Sequence, residues 1–253
     1  MKRITAFALS LIIVFSIVAC KTQLKISKKT SKVYAINRDL PLDSFVVAIY
    51  NPYKKSIDSQ MNSVLAHTLN EIKRSKPEGA LNNLSADGIA FTARKRNIDF
   101  DFVHLNYKAL RVPLPKGQIK AYKIFELMPF ENNLVTVKLA GDDVFKLFQY
   151  IAALGGDPIS GATFKIINGK AIDVKINGQA LDDKRSYIIL TNDYFANGGD
   201  KASFYTNALE RKETFLKQRD AFIEYLNYQL KAGKSLDPQL DGRITSDKPI
   251  KDE

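Results

Sequence analysis

The stretch VKINGQALDDKRSYIILTNDYFANGGD, Val174 to Asp200, sets the reading of the whole chain. Asn177-Gly178 is a tight-turn pair, because a two-residue hairpin turn needs positive φ at both central positions. Tyr187-Ile188-Ile189-Leu190 is a continuous apolar run of strand length. The chain then meets Tyr194 and Phe195, the pair Gly198-Gly199, and Asp200. A strand that feeds a glycine-bearing turn is where α/β folds put their sites, since the sheet holds the loop in place. Two readings of the aromatic pair stand: core packing, or a platform for a flat ligand whose hydroxyls Asp200 grips.

Outward from this stretch, Asn168-Gly169 repeats the turn chemistry between Phe164–Ile167 and Ala171–Ile176. Leu134–Leu139 reads as a strand, and Ile98–Leu105 alternates as a half-buried strand does. Gly141 opens a helix to about Leu154, with an aspartate available as N-cap. Ala121–Met128 predicts a short helix and Asn82–Lys95 a longer one, while Pro113, Pro115 and Gly117 mark a loop. Phe45–Tyr50 is an apolar run of strand length. Met61, Leu65, Leu69 and Ile72 recur at helical spacing, which predicts a helix from about Ser56 to Ile72, broken by Lys76-Pro77-Glu78-Gly79. Phe215, Phe222, Ile223, Leu226 and Leu230 mark one face of a helix from about Ala208 to Ala232. The sum is an α+β fold, a single mixed α/β domain over residues 44–245.

The ends read differently. Met1-Lys2-Arg3 is basic, and Ile4–Val18 is apolar but shorter than the ~20 residues of a spanning helix. Ile17-Val18-Ala19-Cys20 follows, the pattern of an exported, cleaved signal. The placement of Cys20 resembles the bacterial lipobox, in which the mature chain begins at a lipid-modified cysteine; the alternative is a signal with an incidental cysteine. The expected organisation is a lipoprotein signal peptide over 1–19, the acylated cysteine and a basic tether over 20–43, the domain, and a disordered tail over 246–253. Lys21 after the cysteine favours the outer membrane of a bacterial envelope, periplasmic or surface-facing. Cys20 is the only cysteine, so no intrachain disulfide forms. The net charge of +11 is concentrated in part at Lys21, Lys25, Lys28, Lys29 and Lys32, next to the expected anchor. Basic residues there are attracted to anionic headgroups. No aromatic interleaves with them to stack on bases, so nucleic acid is not an expected partner.

Metal chemistry has little to work with. The chain holds two histidines, His67 and His104, which read as structural residues in a helix and a strand. A two-metal phosphatase centre needs several histidines and aspartates on both ions. There is no G-x-S-x-G elbow, no Walker motif and no G-x-G-x-x-G. The chain's own residues therefore predict no cofactor and no catalytic apparatus.

Three loops carry a resemblance: NYKALR (Asn106–Arg111), MPFENN (Met128–Asn133) and NDYFANGGD (Asn192–Asp200). GALNNLSAD (Gly79–Asp87), LAGDDVFKLF (Leu139–Phe148), VKINGQALDDKRSYIILTND (Val174–Asp193) and DGRIT (Asp241–Thr245) extend it. In this order and spacing they resemble the C-terminal domain of the 5′-nucleotidase family, over nearly all of residues 44–245. In that family this domain holds the substrate nucleoside. The resemblance implies that Phe130 and Tyr194 sandwich the base and that Asn132 hydrogen-bonds it. Asp200 then accepts from the ribose hydroxyls, and Arg111 faces ribose and phosphate. The chemistry is coherent: aromatics stack bases, a carboxylate accepts strongly from a diol, and a guanidinium fork suits phosphate. The structural alternatives are core packing for Phe130 and Tyr194, an N-cap for Asp200 and a surface carboxylate for Arg111; Phe195 is assigned to the core. The family pattern N-x-G-G-I-R is departed from at Lys108 and Ala109, and P-F-G-N at Glu131.

The family's usual architecture places a metallophosphatase domain, with its divalent metals, before this one, whereas here the resemblance begins soon after Cys20. The expected function is the nucleoside- or nucleotide-binding half of a split 5′-nucleotidase, in nucleotide catabolism, with a separate metallophosphatase polypeptide as partner and the membrane reached through a lipid anchor. A nucleoside-binding envelope lipoprotein without hydrolysis, and a structural lipoprotein with a decayed pocket, are the alternatives.

Overall fold

Strands β4 (Asn133–Ala140) and β9 (Ser186–Asn192) pair antiparallel at the centre of the sheet, from Leu134 opposite Asn192 to Ala140 opposite Ser186. Consecutive residues of both strands are buried, because both faces of this sheet are covered. The pleat sorts them. Leu134 and Leu190 face one core, with helices α2 (Ala80–Lys95) and α6 (Gln218–Lys231). Val135, Val137, Leu139 and Ile189 face the other, with α4 (Gly141–Leu154) and a hairpin. The computed structural model describes residues 26, 28–37 and 40–251, so Cys20 and the expected signal segment lie outside the described residues. The chain divides into two compact units, Met1–Ile49 and Tyr50–Glu253, and all that follows on the site concerns the second.

The five-stranded sheet has the order β10-β4-β9-β2-β5, with β10 (Glu210–Lys217), β2 (Phe102–His104) and β5 (Ile159–Ser160). Only β2 runs parallel to β9; the other pairs are antiparallel. The hairpin is β6 (Ala162–Ile167) and β7 (Lys170–Ile176), turning at Asn168 and Gly169 with φ of 49° and 74°. The second turn, at Asn177-Gly178, leads to β8 (Gln179–Ala180), and β11 (Ile244–Ser246) adds to β6 in parallel. A two-stranded sheet pairs β1 (Val64–Thr68) with β3 (Gly117–Lys120), and α3 (Ala121–Leu127) follows directly. Beyond Ser246, Asp247 N donates to Ile166 O at 3.1 Å and Ile250 packs on the second core. This is the mixed α+β fold expected from the sequence.

Four elements differ from expectation. The strand expected over residues 98–105 with one face in the core is β2, three residues that are all buried. Phe45–Tyr50 is helical, within α1 (Ser44–Met61). Asp43 Oδ1 accepts from the N–H of Phe45 and of Val46, an N-cap that a short apolar run does not reveal. The expected helix from Ser56 to Ile72 ends at Met61, and Val64–Thr68 is strand β1, so His67 sits on a strand, exposed. Its apolar residues repeat at helical spacing, yet Leu65 and Ile72 are buried in one core while Leu69 is exposed. The expected helix from Ala208 to Ala232 begins only at Gln218. Residues 210–217 instead form edge strand β10, whose charged side chains suit an unpaired edge. Phe215 is accordingly 93% exposed at φ 55°, in a bulge rather than on a helix face. For α4 the N-cap is Ala140, with Asp142 and Asp143 in the first turn, where the helix dipole favours them.

The C-terminal segment is fastened by one side chain. Arg243 donates to both oxygens of Asp87 on α2, at 2.9 Å each, to Asp241 and to Ile159 O on β5. Glu78 completes the clip by accepting from the N–H of Asp241 and of Gly242, each at 3.0 Å. Arg243→Ala is expected to destabilise the fold by about 2–3 kcal/mol in urea unfolding. That lies below the figure for a fully buried pair because Asp87 and Asp241 keep solvent access. Arg243→Lys should recover only part of the loss, since the two-pronged contact goes; unfolding midpoints equal to wild type for both variants would refute the clip.

Candidate nucleoside-binding site

The end of β9 separates the two aromatics. Asn192 caps the short helix α5 (Asp193–Ala196), its Oδ1 accepting from Phe195 N at 2.9 Å, while its Nδ2 donates to Gln218 Oε1. That turn sends Phe195 inward, 1% exposed and stacked on His104 at 4.8 Å. Tyr194 goes outward and is 44% exposed. Gly199 explains the glycine that follows: a Cβ there would lie 2.5 Å from the Tyr194 ring, so the ring rests against bare backbone. Gly198 takes φ 81° and Asp200 φ 51°, turning the chain back toward Tyr194. An aspartate tolerates this left-handed conformation better than most residues.

Asp200 is then held from several sides. Its Oδ1 accepts from the Tyr194 hydroxyl at 2.9 Å, and its N–H donates back to that hydroxyl at 3.2 Å. Its Oδ2 accepts from Asn106 Nδ2, and its carbonyl accepts from the Tyr150 hydroxyl at 3.1 Å. The bond to Asp200 pushes the Tyr194 hydroxyl's pKa up. A carboxylate has about four acceptor positions, so outward lone pairs remain for a ligand.

Asn106 opens the second loop. Its Oδ1 accepts from Lys108 N and caps a 3₁₀ turn over Tyr107–Ala109, where the family pattern has glycines. Underneath, Arg74 lies 4.6 Å over the Tyr107 ring and donates to Leu110 O at 2.7 Å. Asp157 accepts from Tyr107 N at 3.0 Å and faces His104 Nε2 at 3.1 Å, while His104 Nδ1 is 2.9 Å from the Tyr205 hydroxyl. A carboxylate only accepts, so in the neutral ring Nε2–H donates to Asp157 and Nδ1 accepts a hydrogen bond from the Tyr205 hydroxyl. His104 is thus a satisfied structural residue. Arg111 is exposed and finds only Lys108 O, at 3.5 Å; it has no carboxylate partner among the described residues.

The third loop is anchored through the residue that replaces its glycine. Glu131 takes ion pairs from Lys217 and from Arg219, and these bonds, Lys217 first, hold its carboxyl at about 2. Arg219 is buried beneath the loop, donates to Met128 O at 3.0 Å and lies 4.0 Å over the Phe125 ring. Gln218 N donates to Asn132 O. With the loop fixed from below, Phe130 stands 48% exposed.

The three loops enclose a cavity of about 310 Å³. Phe130, Asn132, Tyr194, Asp200 and Arg111, all five of the residues singled out from the sequence, border it, together with Asn106, Lys108 and Ala109. Sequence reasoning gave no role to Asn106 or Glu131, whose partners lie far along the chain. Among the described residues no group of three or more His, Cys, Asp or Glu side chains is placed to hold a metal ion.

Known proteins share this fold. The model of the 5′-nucleotidase C-terminal domain matches residues 62–208. The 5′-nucleotidase of Vibrio vulnificus is 21% identical over 185 residues, 71% of this chain and 33% of that one. The trifunctional nucleotide phosphoesterase protein YfkN of Bacillus subtilis is 26% identical over 185 residues, 66% of this chain and 12% of that one. Among solved structures, the 5′-nucleotidase precursor from Thermus thermophilus superposes with a TM-score of 0.68 at 23% identity, over 83% of this chain and 44% of that one. This chain thus spans a third or less of the Vibrio and Bacillus relatives. With a family model matching more than half of its length, the chain belongs to the 5′-nucleotidase C-terminal domain family.

Proposed function

We propose that the cavity between the three loops binds a nucleoside or nucleotide, and that the chain is the substrate-binding half of a 5′-nucleotidase in nucleotide catabolism. The observation that carries this reading is the meeting of Phe130 and Tyr194, two exposed aromatics from separate loops, on one cavity with the Asp200 carboxylate and the Arg111 guanidinium. In this reading the base stacks on the aromatics, Asn132 bonds its edge, Asp200 takes the ribose diol, and Arg111, with Lys108, faces phosphate. Stacking contributes ~1–3 kcal/mol per base.

The hydrolytic metals belong, in this proposal, to a metallophosphatase on a separate polypeptide. His104 is committed to Tyr205 and Asp157, and among the described residues no group of three or more His, Cys, Asp or Glu side chains is placed to hold a metal ion, in keeping with metals held outside this domain. Capture without hydrolysis uses the same cavity and is the outcome if no partner restores turnover. Lipid anchoring at Cys20 in the bacterial envelope is part of the same proposal and rests on the sequence pattern of residues 17–20.

Each part has its own test. Titration calorimetry of adenosine should show Tyr194→Ala weakened by about 1–3 kcal/mol. Tyr194→Phe, which removes both bonds between the hydroxyl and Asp200, should cost about 1–2 kcal/mol. Asp200→Asn should harm ribonucleosides more than 2′,3′-dideoxynucleosides. Phe195→Ala, as the packing control, should cost ~3–5 kcal/mol of folding stability. Unchanged affinity in Tyr194→Ala, with a lowered melting point, would reduce the aromatic to packing.

For catalysis, the purified chain with Zn²⁺, Mn²⁺ or Ca²⁺ should turn over neither AMP nor UDP-sugars. It should gain AMP hydrolysis when combined with a metallophosphatase encoded beside it. Metal-dependent turnover that stays with the chain through repurification would sink the split arrangement. For the anchor, Cys20→Ser should release the protein from membranes or leave it uncleaved, since acylation and processing need the thiol; a variant that fractionates and migrates as wild type would remove the lipid.

A further inference from the structure

Helix α6 begins at Gln218, and the loops that carry the two aromatics both bond to that one residue. Its backbone N–H donates to Asn132 O at 2.9 Å, in the Phe130 loop. Its side-chain Oε1 accepts from Asn192 Nδ2 at 2.9 Å, at the N-cap of α5 just before Tyr194. Gln218 and Asn192 are both buried, so water does not compete for this second bond. The residues on either side turn to the Phe130 loop: Lys217 and Arg219 pair with Glu131, and Arg219 donates to Met128 O. Gln218 alone of the three also bonds the N-cap before Tyr194.

An asparagine amide has an accepting end and a donating end. Only the oxygen of Asn192 can accept from Phe195 N, and an acceptor facing its nitrogen selects that orientation. Gln218 Oε1 is that acceptor. The cap so formed is the one that sends Phe195 inward and Tyr194 outward. The pairing of β4 with β9 sets the Asn192 backbone opposite Leu134 but does not orient the amide. A side chain without an acceptor at position 218 would leave a buried N–H donor unpaired, a cost the amide escapes by turning and giving up the cap. We propose that Gln218 is the positioning residue that holds Tyr194 opposite Phe130 for a stacked base. This rests on the nucleoside reading of the cavity and adds the residue that sets its geometry. Gln218 does not border the cavity and acts through Asn192.

The test combines adenosine titration calorimetry with amide hydrogen exchange on the full chain. Wild type is compared with Gln218→Met, which keeps the length of the side chain and removes the acceptor, and with Gln218→Glu, which keeps an acceptor oxygen. The bond from Gln218 N to Asn132 O is backbone and stays in both, so the variants address the Tyr194 side alone. Gln218→Met is expected to bind adenosine about fivefold more weakly, the lower end of a stacking contribution. Its amides over residues 193–197 should exchange faster, and Gln218→Glu should match wild type in both measurements. Combined with Tyr194→Ala, Gln218→Met should weaken adenosine no further, because it acts through that ring. Wild-type affinity and exchange in Gln218→Met would overturn the assignment and leave the nucleoside reading intact. A loss of equal size with and without Tyr194→Ala would overturn it too, and would make Gln218 a general support of the fold. Should Gln218→Met melt too early to titrate, Gln218→Glu decides: a loss there as large as that of Tyr194→Ala overturns the assignment, and wild-type affinity upholds it. If wild type binds no adenosine, the nucleoside reading falls and this role with it, whatever the exchange shows.

Discussion

The Asp200 carboxylate is the point at which otherwise separate loops become one surface. Tyr194 reaches it from the end of β9, Asn106 from the end of β2, and Tyr150 on α4 takes its carbonyl. Each bond alone is modest, since an exposed hydrogen bond exchanges with water. Their value lies in geometry. They fix the mutual placement of side chains that begin on different elements, and these form one side of the cavity of about 310 Å³ whose other side, Phe130 and Asn132, is held through Glu131.

Beneath that surface runs a buried polar chain that the apolar core has to accommodate. Tyr205, His104 and Asp157 lie in hydrogen-bond sequence, and the last of them holds Tyr107 N in the loop above. Buried polar groups are costly unless every one is satisfied. Here the aromatic stack of His104 on Phe195 packs the same ring whose nitrogens are bonded. Packing and polar satisfaction thus support one loop position, and the inward turn of Phe195 and the outward turn of Tyr194 are two results of a single cap at Asn192.

What could be read from the sequence follows the range of the interactions. Strand β9, the Asn168-Gly169 hairpin and helices α2 and α4 were legible because local pattern and turn chemistry determine them. Residues 45–50, 64–68 and 210–217 were misread because their state is set by a cap or by a strand partner far along the chain. Lys212 pairs with Thr136, and nothing near Lys212 announces it. The site divides likewise. The five residues on the cavity were legible through the likeness of three loops to a family. The bond from Asn106 to Asp200 spans 94 positions, and that from Glu131 to Arg219 spans 88, so neither leaves a local trace. Glu131 looked like a lost glycine; in the structure it is the tether of its loop.

The contact of the Tyr194 ring with the bare backbone of Gly199 bears on kinetics. A ring laid on backbone, with its hydroxyl bonded to Asp200, has little rotamer freedom left to lose. A planar ligand that settles on it finds the surface already formed and spends little ordering entropy there. Under the proposed binding, encounter would be governed by diffusion and charge rather than by waiting for a side chain to turn. Related ligands would differ mainly in how long they stay, since changes within one interface fall chiefly on the dissociation rate.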